Sequence, residues 1–220
     1  MAVDDFVKGN AAQDWRHAMV TVLIEERTAT STADPPALRV LVLICAVTPP
    51  PADKPVVVGV YGRPRQSPGI KRARWAIERQ PLEVRKSADM SEVLLSTEDG
   101  RLCEGLITNF FVVTASADGQ PLVQTAPADL VLPGVLRARV LQACERLGLA
   151  VLEAPPDLKR QREWQEAFLT NCLRGVQPVH SLIMEDGGAP ATLLLPCPHG
   201  EVTRKLQEAL SGTQSFTLLG

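Results

Sequence analysis

The sequence lacks the marks of a membrane protein, a secreted protein and a nucleic-acid-binding protein. No window approaches the roughly 18 consecutive apolar residues of a membrane-spanning helix, and the N-terminal MAVDDFVKGN has no long apolar run, unlike a secretory signal. Its 23 basic and 25 acidic residues give a net charge of -2, so no overall basic field attracts nucleic acid or anionic lipid. We therefore expect a cytoplasmic protein with no nucleic-acid or membrane partner.

Metal-binding and disulfide patterns are also missing. The five cysteines lie far apart and include no CxxC pair, which argues against a disulfide framework and a zinc site and suits a reducing compartment. The three histidines are isolated, so we predict no metal site. Lysine is scarce as well, and the candidates for amine chemistry are Lys8, Lys54, Lys71, Lys86, Lys159 and Lys205.

The pattern of apolar residues predicts a mixed α/β (α+β) chain. With 220 residues, of which 45% are hydrophobic, it can bury a substantial core in one large domain or two small ones. After a loose, polar start over residues 1–14, strands are predicted over residues 18–28, 38–47 and 56–61. Proline-rich links, including residues 32–36, favour an antiparallel meander without a covering helix. We predict an incomplete small domain over residues 1–65 and a larger domain over residues 66–220.

The larger domain begins after a run of turn formers, GRPRQSPG over residues 62–69, which is typical of a linker. Residues 70–86 are predicted as a helix or turn with a basic face, and the Asp99-Gly100 pair indicates a hairpin. Further elements are predicted as strands over residues 91–96, 107–113, 151–153, 167–171 and 175–183, the last interrupted by Pro178, then a loop over residues 185–200 and an amphipathic helix over residues 201–210.

The clearest helix is predicted over residues 134–147, with Gly148 as its C-terminal cap. Its buried face would carry Leu136, Val140, Cys144 and Leu147, with Arg137 in solvent. A Pro-Gly corner leads into this helix, and Glu104 lies before a strand in the same central segment. Because a glycine-led helix N-terminus attracts anions and a carboxylate pairs with a protonated nitrogen, the segment suits an anionic ligand that contains nitrogen.

Three blocks in this part of the chain together resemble a known family. They are EGLITNFFVV (104–113), TAPADLVLPGVLRARVL (125–141) and EAFLTNCLRGVQPV (166–179). Their order is similar to that of the fold-type IV pyridoxal phosphate enzymes, or class IV aminotransferases, which include branched-chain and D-amino-acid aminotransferases and aminodeoxychorismate lyase. The resemblance covers roughly residues 69–183, and the surroundings of Lys71 and Trp75 are similar to plant and algal members.

The resemblance implies a fold, a cofactor and a set of site residues. The fold is a small antiparallel domain beside a larger pseudo-barrel domain, and the cofactor is pyridoxal 5'-phosphate, which a lysine binds as an imine. Lys71, 33 positions before Glu104, matches the family's lysine, and Glu104 matches the carboxylate beside the ring nitrogen. The remaining cofactor contacts would come from Asn109, from Gly134, Val135 and Leu136 at the phosphate, and from Asn171 and Cys172.

The residues alone leave simpler interpretations open. Lys71 could be a solvated charge, Glu104 a surface carboxylate and Gly134 a helix start without a ligand. Asn109 and Asn171 could satisfy local backbone groups. Trp75 and Trp164 could be packing residues.

The sequence leaves three functions open. Transfer of an amino group between an amino acid and a 2-oxo acid, by a homodimer, is the first expectation. The alternatives are an aminodeoxychorismate lyase-like elimination and a non-catalytic relative. The last is suggested because family members begin with two further strands and a helix carrying an HxxRL-like motif, which do not precede Ala18 here.

Overall fold

A computed structural model describes residues 18–27, 37–186 and 189–211 of the chain. Two compact units are present, Met1–Pro49 and Pro50–Gly220. The predicted polar start (1–14) and proline-bearing link (32–36) lie outside the described residues. The division into domains at residue 65 stays a prediction. No helix among the described residues has the length and apolar character that a membrane crossing requires.

The first unit contains an antiparallel pair of strands, β1 (Ala18–Arg27) and β2 (Ala37–Ala46). Their register runs from Ala18 opposite Ala46 to Arg27 opposite Ala37. Both segments are rich in β-branched residues, which favour extended backbone. The two strands confirm the sequence prediction within one residue at each end.

The second unit is built on a ring of six strands. These are β3 (Val56–Gly62), β4 (Met90–Ser96), β5 (Leu102–Gly105), β6 (Asn109–Ala115), β9 (Glu166–Asn171) and β10 (Gly175–Asp186). Strand β3 pairs in parallel with β4 and β10, and the other neighbours around the ring are antiparallel. Three strands extend the sheet outside the ring: β7 (Pro121–Thr125), β8 (Ala150–Glu153) and β11 (Ala189–Leu194). The result is the predicted pseudo-barrel.

The helices of this unit connect and cover the strands. They are α1 (Trp75–Glu78), α2 (Gln80–Arg85), α3 (Val135–Arg146), a 3-10 helix (Leu158–Glu163) and α4 (Glu201–Ser211). Helix α3 ends near Gly148, whose φ of 67° is a conformation that glycine adopts without strain. The predicted helices over residues 134–147 and 201–210 are therefore confirmed.

Two hydrophobic cores lie on the two faces of β6. Because side chains alternate along a strand, Phe110 and Val112 enter a core with the buried Trp164, whereas Phe111 and Val113 pack under α3 and α4. Every residue of β6 except the last is buried, which explains the apolar run FFVV at its centre. The packing role of Trp164 is confirmed.

Two predictions about strands are wrong. Strand β3 does not join β1 and β2 in a meander, because its apolar residues are buried between two parallel neighbours, the pattern of a central strand. Residues 185–200 do not form only a loop, since β11 lies there and pairs with β10. The glycines at positions 187 and 188 lie outside the described residues.

Two further predictions fail at single residues. Pro178 does not interrupt β10. At this position the strand pairs only with β9, because its ladder with β3 begins at Val179, so the missing N–H of the proline leaves the second ladder intact. Arg137 is buried instead of solvated, since its guanidinium donates to the Ala126 carbonyl at 2.8 Å and pairs with Glu153. Leu147, predicted on the buried face of α3, is exposed.

Candidate functional site

The candidate site begins at the tight connection between β5 and β6. Glu104 lies directly opposite Asn109 in the ladder, and the Gly105 N–H donates to the Thr108 carbonyl at 2.8 Å. Gly105 is required in this turn because a Cβ there would lie 2.2 Å from the Thr108 hydroxyl. The turn places two polar side chains of the predicted site next to each other on a buried sheet.

Glu104 and Asn109 both hold the peptide groups of Leu132. The Leu132 N–H donates to Glu104 Oε2 at 3.0 Å, and Asn109 Nδ2 donates to the Leu132 carbonyl at 2.8 Å. The Gly134 N–H donates to the same carbonyl at 2.8 Å. The carboxylate and the start of α3 are thus linked through one residue.

The start of α3 is open to an anion. Gly134 occupies the N-cap position and offers no capping side chain. A Cβ on Gly134 would lie 2.3 Å from Asn109 Oδ1, so glycine allows the helix to approach β6 this closely. The amides of Val135 and Leu136 belong to the first turn, where N–H groups lack partners within the helix. A phosphate or carboxylate is a suitable acceptor for them.

Glu104 is a buried carboxylate paired with Arg65. The distance from Arg65 Nε to Glu104 Oε1 is 2.8 Å, and the two side chains are 6% and 5% exposed. Burial raises the pKa of Glu104, while the Leu132 amide, Arg65 and Lys71 act in the opposite direction. The simple interpretation of Glu104 as a surface carboxylate is therefore wrong.

Lys71 lies in the exposed segment that precedes α1. Its charge attracts Glu104, so the two residues are within electrostatic reach of each other. Within the described residues, no hydrogen bond or ion pair fixes the Lys71 amine. The structure thus brings together Glu104, Asn109 and the start of α3, whereas Lys71 is linked to them only through its electrostatic effect on Glu104.

Asn171 and Cys172 lie at the turn between β9 and β10. Asn171 Oδ1 accepts hydrogen bonds from the amides of Leu173 at 3.0 Å and Arg174 at 2.7 Å, and its Nδ2 donates to the Ile107 carbonyl at 3.3 Å. Asn171 therefore satisfies backbone groups, and one of them belongs to the β5–β6 turn. Cys172 is exposed beside it.

Sequence reasoning missed Glu92, which shapes the β5–β6 turn from β4. The Glu92 carboxylate accepts hydrogen bonds from the amides of Val93 at 2.9 Å, Leu106 at 3.2 Å and Ile107 at 3.3 Å, and from the Thr108 hydroxyl at 3.0 Å. Burial raises its pKa. The available signal was a carboxylate within the otherwise apolar strand SEVLLS.

Sequence reasoning also missed Arg65, which lies in the stretch predicted as a linker. Its guanidinium lies 5.3 Å from the ring centroid of Trp75, whose Nε1 donates to the Leu106 carbonyl at 2.7 Å. The turn formers around Arg65 gave no sign that its side chain is buried. Its partner Glu104 is 39 residues away in the sequence.

The ring of strands, with a buried carboxylate near a glycine-led helix start, is the fold of the fold-type IV pyridoxal phosphate enzymes. The profile of the amino-transferase class IV family matches residues 2–182. This chain therefore belongs to the class IV aminotransferase family, whose members use pyridoxal phosphate. No curated protein sequence matches the chain.

Solved structures with a similar fold carry two kinds of name. One is assigned as a branched-chain amino acid aminotransferase from Thermotoga maritima (25% identity, TM-score 0.57, 77% of this chain and 58% of that chain covered). Another is the branched-chain amino acid aminotransferase of Escherichia coli (19%, TM-score 0.66, 97% and 71%). A third is 4-amino-4-deoxychorismate lyase from Pseudomonas aeruginosa (22%, TM-score 0.68, 90% and 72%). The chain thus spans little more than half the length of the Thermotoga protein.

Proposed function

We propose that this chain uses pyridoxal phosphate to transfer an amino group between an amino acid and a 2-oxo acid. The proposal rests on the hydrogen bonds that Glu104 and Asn109 make with the Leu132 peptide groups, because these bonds join a buried carboxylate to the start of α3. A cofactor with a ring nitrogen at one end and a phosphate at the other matches these two groups. Family membership supports the same assignment.

The residues present fit such a cofactor. A carboxylate has about four acceptor positions, and Arg65 and Leu132 each take one on Glu104. Glu104 therefore retains acceptor capacity for a ring N–H. We assign the phosphate to the first-turn amides of Val135 and Leu136, which Gly134 lets it approach closely. The turn at Asn171 and Cys172 is the second contact in this assignment.

Each residue has a defined role in the proposed reaction. Pyridoxal phosphate, when bound, supplies a ring that accepts electrons from the substrate carbon. Lys71 would hold the cofactor through Nζ and would move a proton to and from the substrate carbon. Glu104 would hold a proton on the ring nitrogen by charge pairing. Asn109 fixes the Leu132 peptide and so the distance between carboxylate and helix start.

The absorption spectrum tests the role of Lys71. We expect the purified protein, after incubation with pyridoxal phosphate, to show a visible band that is absent in Lys71→Ala. Lys159→Ala is the matched control, because Lys159 is an exposed lysine on the 3-10 helix. A colourless wild-type protein, or a band that persists in Lys71→Ala, would contradict the assignment.

The reaction type needs a separate experiment. The fold is shared with a protein named as a 4-amino-4-deoxychorismate lyase, so the alternative is elimination from an aminated chorismate-like substrate. Amino transfer yields a 2-oxo acid in step with an aminated acceptor, whereas elimination yields pyruvate without an acceptor. Product analysis with amino-acid donors and with chorismate-derived substrates separates the two. Turnover that is lost in Lys71→Ala also rules out a non-catalytic relative.

We further propose that the active form is a homodimer that binds small amino acids and 2-oxo acids. Family members bind such substrates and are typically dimers. Light scattering after size-exclusion chromatography checks the assembly, and a monomer with full turnover would contradict it.

A further inference from the structure

Arg65 connects three parts of the candidate site. Its Nε donates to Glu104 Oε1 at 2.8 Å, another guanidinium nitrogen donates to the Pro68 carbonyl at 2.7 Å, and the guanidinium lies over the ring of Trp75. The Arg65 side chain is 6% exposed, although it belongs to an irregular segment between β3 and α1. A long charged side chain that is buried from a loop must be held there by specific partners.

The pairing bears on the charge of Glu104. A buried carboxylate without a cation tends to take up a proton, because the low-dielectric surroundings disfavour its charged form. Arginine keeps its charge at every relevant pH and offers several N–H donors in a fixed geometry. Among the described residues, the other hydrogen bond to the Glu104 carboxylate comes from the amide of Leu132. Arg65 is therefore the cation in direct contact with Glu104 that can keep it ionised.

Within the part of the chain that the structure describes, few other groups act on this carboxylate. Lys71, from the same segment as Arg65, attracts it, and Cys103 is its neighbour on β5. Burial raises the pKa of the Cys103 thiol to about 11, so the thiol stays neutral near pH 7. The loop before α3 contributes the Leu132 amide, which does not titrate.

The same contacts fix the segment that carries Lys71. In the sequence Lys71 lies between Arg65 and Trp75. Arg65 is attached to β5 through Glu104, and Trp75 is attached to the following turn through the Leu106 carbonyl at 2.7 Å. Two anchors on either side reduce the conformational freedom of an otherwise exposed lysine.

We infer that Arg65 is a positioning residue: it keeps Glu104 ionised and oriented, and with Trp75 it anchors the Lys71 segment beside that carboxylate. Its role in the reaction rests on the proposed function, whereas its coupling to Glu104 rests on the contacts alone. The coupling is therefore measurable on the cofactor-free protein.

A double-mutant cycle tests the coupling. Urea unfolding of cofactor-free wild type, Arg65→Met, Glu104→Gln and the double variant is measured at about pH 7.5 and about pH 5. Breaking a buried pair leaves an uncompensated charge, so we expect Arg65→Met to raise the unfolding constant about 100-fold or more at the higher pH. In the Glu104→Gln background the same change should cost about tenfold or less.

The pH dependence separates charge pairing from packing. The pKa of Glu104 is already raised by burial, and loss of Arg65 raises it further. As pH falls, Glu104 in Arg65→Met takes up a proton and no longer needs a cation, so the penalty shrinks toward pH 5. Arg65→Lys, which keeps the charge, should restore part of the stability. Arg63→Met is the matched control, because Arg63 forms an exposed pair with Glu98 and its loss should have little effect at either pH.

The outcomes are separable from those of the proposed function. If Arg65→Met unfolds while the double variant folds, the inference is supported. Equal penalties in both backgrounds, equal penalties at both pH values, or unfolding of both variants would overturn it. If the cycle shows coupling but the wild type takes up no pyridoxal phosphate, the proposed function fails and the coupling stands. If the cofactor binds and the cycle shows no coupling, only the role of Arg65 is lost.

Discussion

Two buried carboxylates on neighbouring strands, Glu92 on β4 and Glu104 on β5, are stabilised in different ways. Glu92 accepts hydrogen bonds from three amides and one hydroxyl, most of them in the β5–β6 turn. Glu104 accepts one from an amide and one from a guanidinium. Since a carboxylate has about four acceptor positions, the capacity of Glu92 is filled and that of Glu104 is not.

The difference separates a carboxylate that fixes a turn from one that can still accept a hydrogen bond from a ligand. A carboxylate whose acceptor positions are all taken by backbone and hydroxyl donors fixes the shape of a turn. A carboxylate with spare capacity beside a cation remains able to bind a ligand N–H. Burial alone does not distinguish the two, because it raises the pKa of both. The number and the identity of the hydrogen-bond donors distinguish the two carboxylates.

The largest expected effect is the loss of stability in Glu92→Ala. The change leaves buried amides and the Thr108 hydroxyl without an acceptor, and each such group costs about 1–3 kcal/mol, not additively. We expect a decrease of about 3–5 kcal/mol in the free energy of unfolding, measured with urea. Glu98→Ala, on the exposed tip of the same hairpin, should unfold as the wild type does. A loss below about 1 kcal/mol would remove the structural role from Glu92.

Glu104→Gln should affect turnover more than folding. The amide has no charge to hold a proton on the ring nitrogen, so the ring accepts electrons less well. We expect kcat for amino transfer to fall about 100-fold, or about 2.7 kcal/mol of transition-state stabilisation, with the cofactor still bound. Steady-state kinetics on the reconstituted protein provides the measurement. Unchanged kcat would place the ring nitrogen elsewhere.

The sequence was sufficient where the signal is local. Gly134 and the helix behind it follow from a Pro-Gly corner and helical periodicity. The Asp99-Gly100 hairpin between β4 and β5 is confirmed, with φ of 87° at Gly100. Each of these features depends on residues that are close together in the chain.

The sequence was insufficient where partners are distant. Arg137 lies on α3 at a position that periodicity assigns to solvent, and only the fold brings the Ala126 carbonyl and Glu153 to it. The neighbours of β3 are β4 and β10, and the pattern of apolar residues along a strand does not say which strands it will pair with. The burial of Arg65 could not be predicted either, because turn formers surround it and its partner Glu104 lies 39 residues further along the chain.

Gly134→Ala probes the Glu104 side of the comparison more weakly. The added Cβ would meet Asn109 Oδ1 at 2.3 Å and push Asn109 away from Leu132. We expect a loss of about 1–2 kcal/mol in unfolding free energy and weaker binding of pyridoxal phosphate, measured by urea unfolding and by titration of the visible band. Gly69→Ala is the control, because no atom of the described residues lies within 4 Å of its Cβ position. Equal unfolding free energies and equal cofactor binding in the two variants would argue against the close approach of α3 to Asn109.

The smallest expected effect is the pH dependence contributed by Glu92. Burial raises the folded-state pKa of Glu92 above its ordinary value, so its stabilising contribution is fully present at low pH and decreases as pH rises through the folded pKa. Glu92→Gln removes this titration. The difference in unfolding free energy between wild type and variant should therefore shift in favour of the wild type as pH falls from about 7.5 to about 5. The opposite slope would mean that the donors around Glu92 outweigh its desolvation.

The two hydrogen bonds that Glu104 and Asn109 make with the Leu132 peptide groups have a consequence for mutational scanning. Both Glu104 and Asn109 contact the peptide groups of this residue, and neither contact involves its side chain. The following residue is Pro133, which restricts position 132 to extended backbone whatever its side chain is. Leu132→Ala would therefore keep both hydrogen bonds, and an alanine scan would not show that Glu104 and Asn109 depend on this residue. Only a change that removes the amide itself, such as Leu132→Pro, would reveal it.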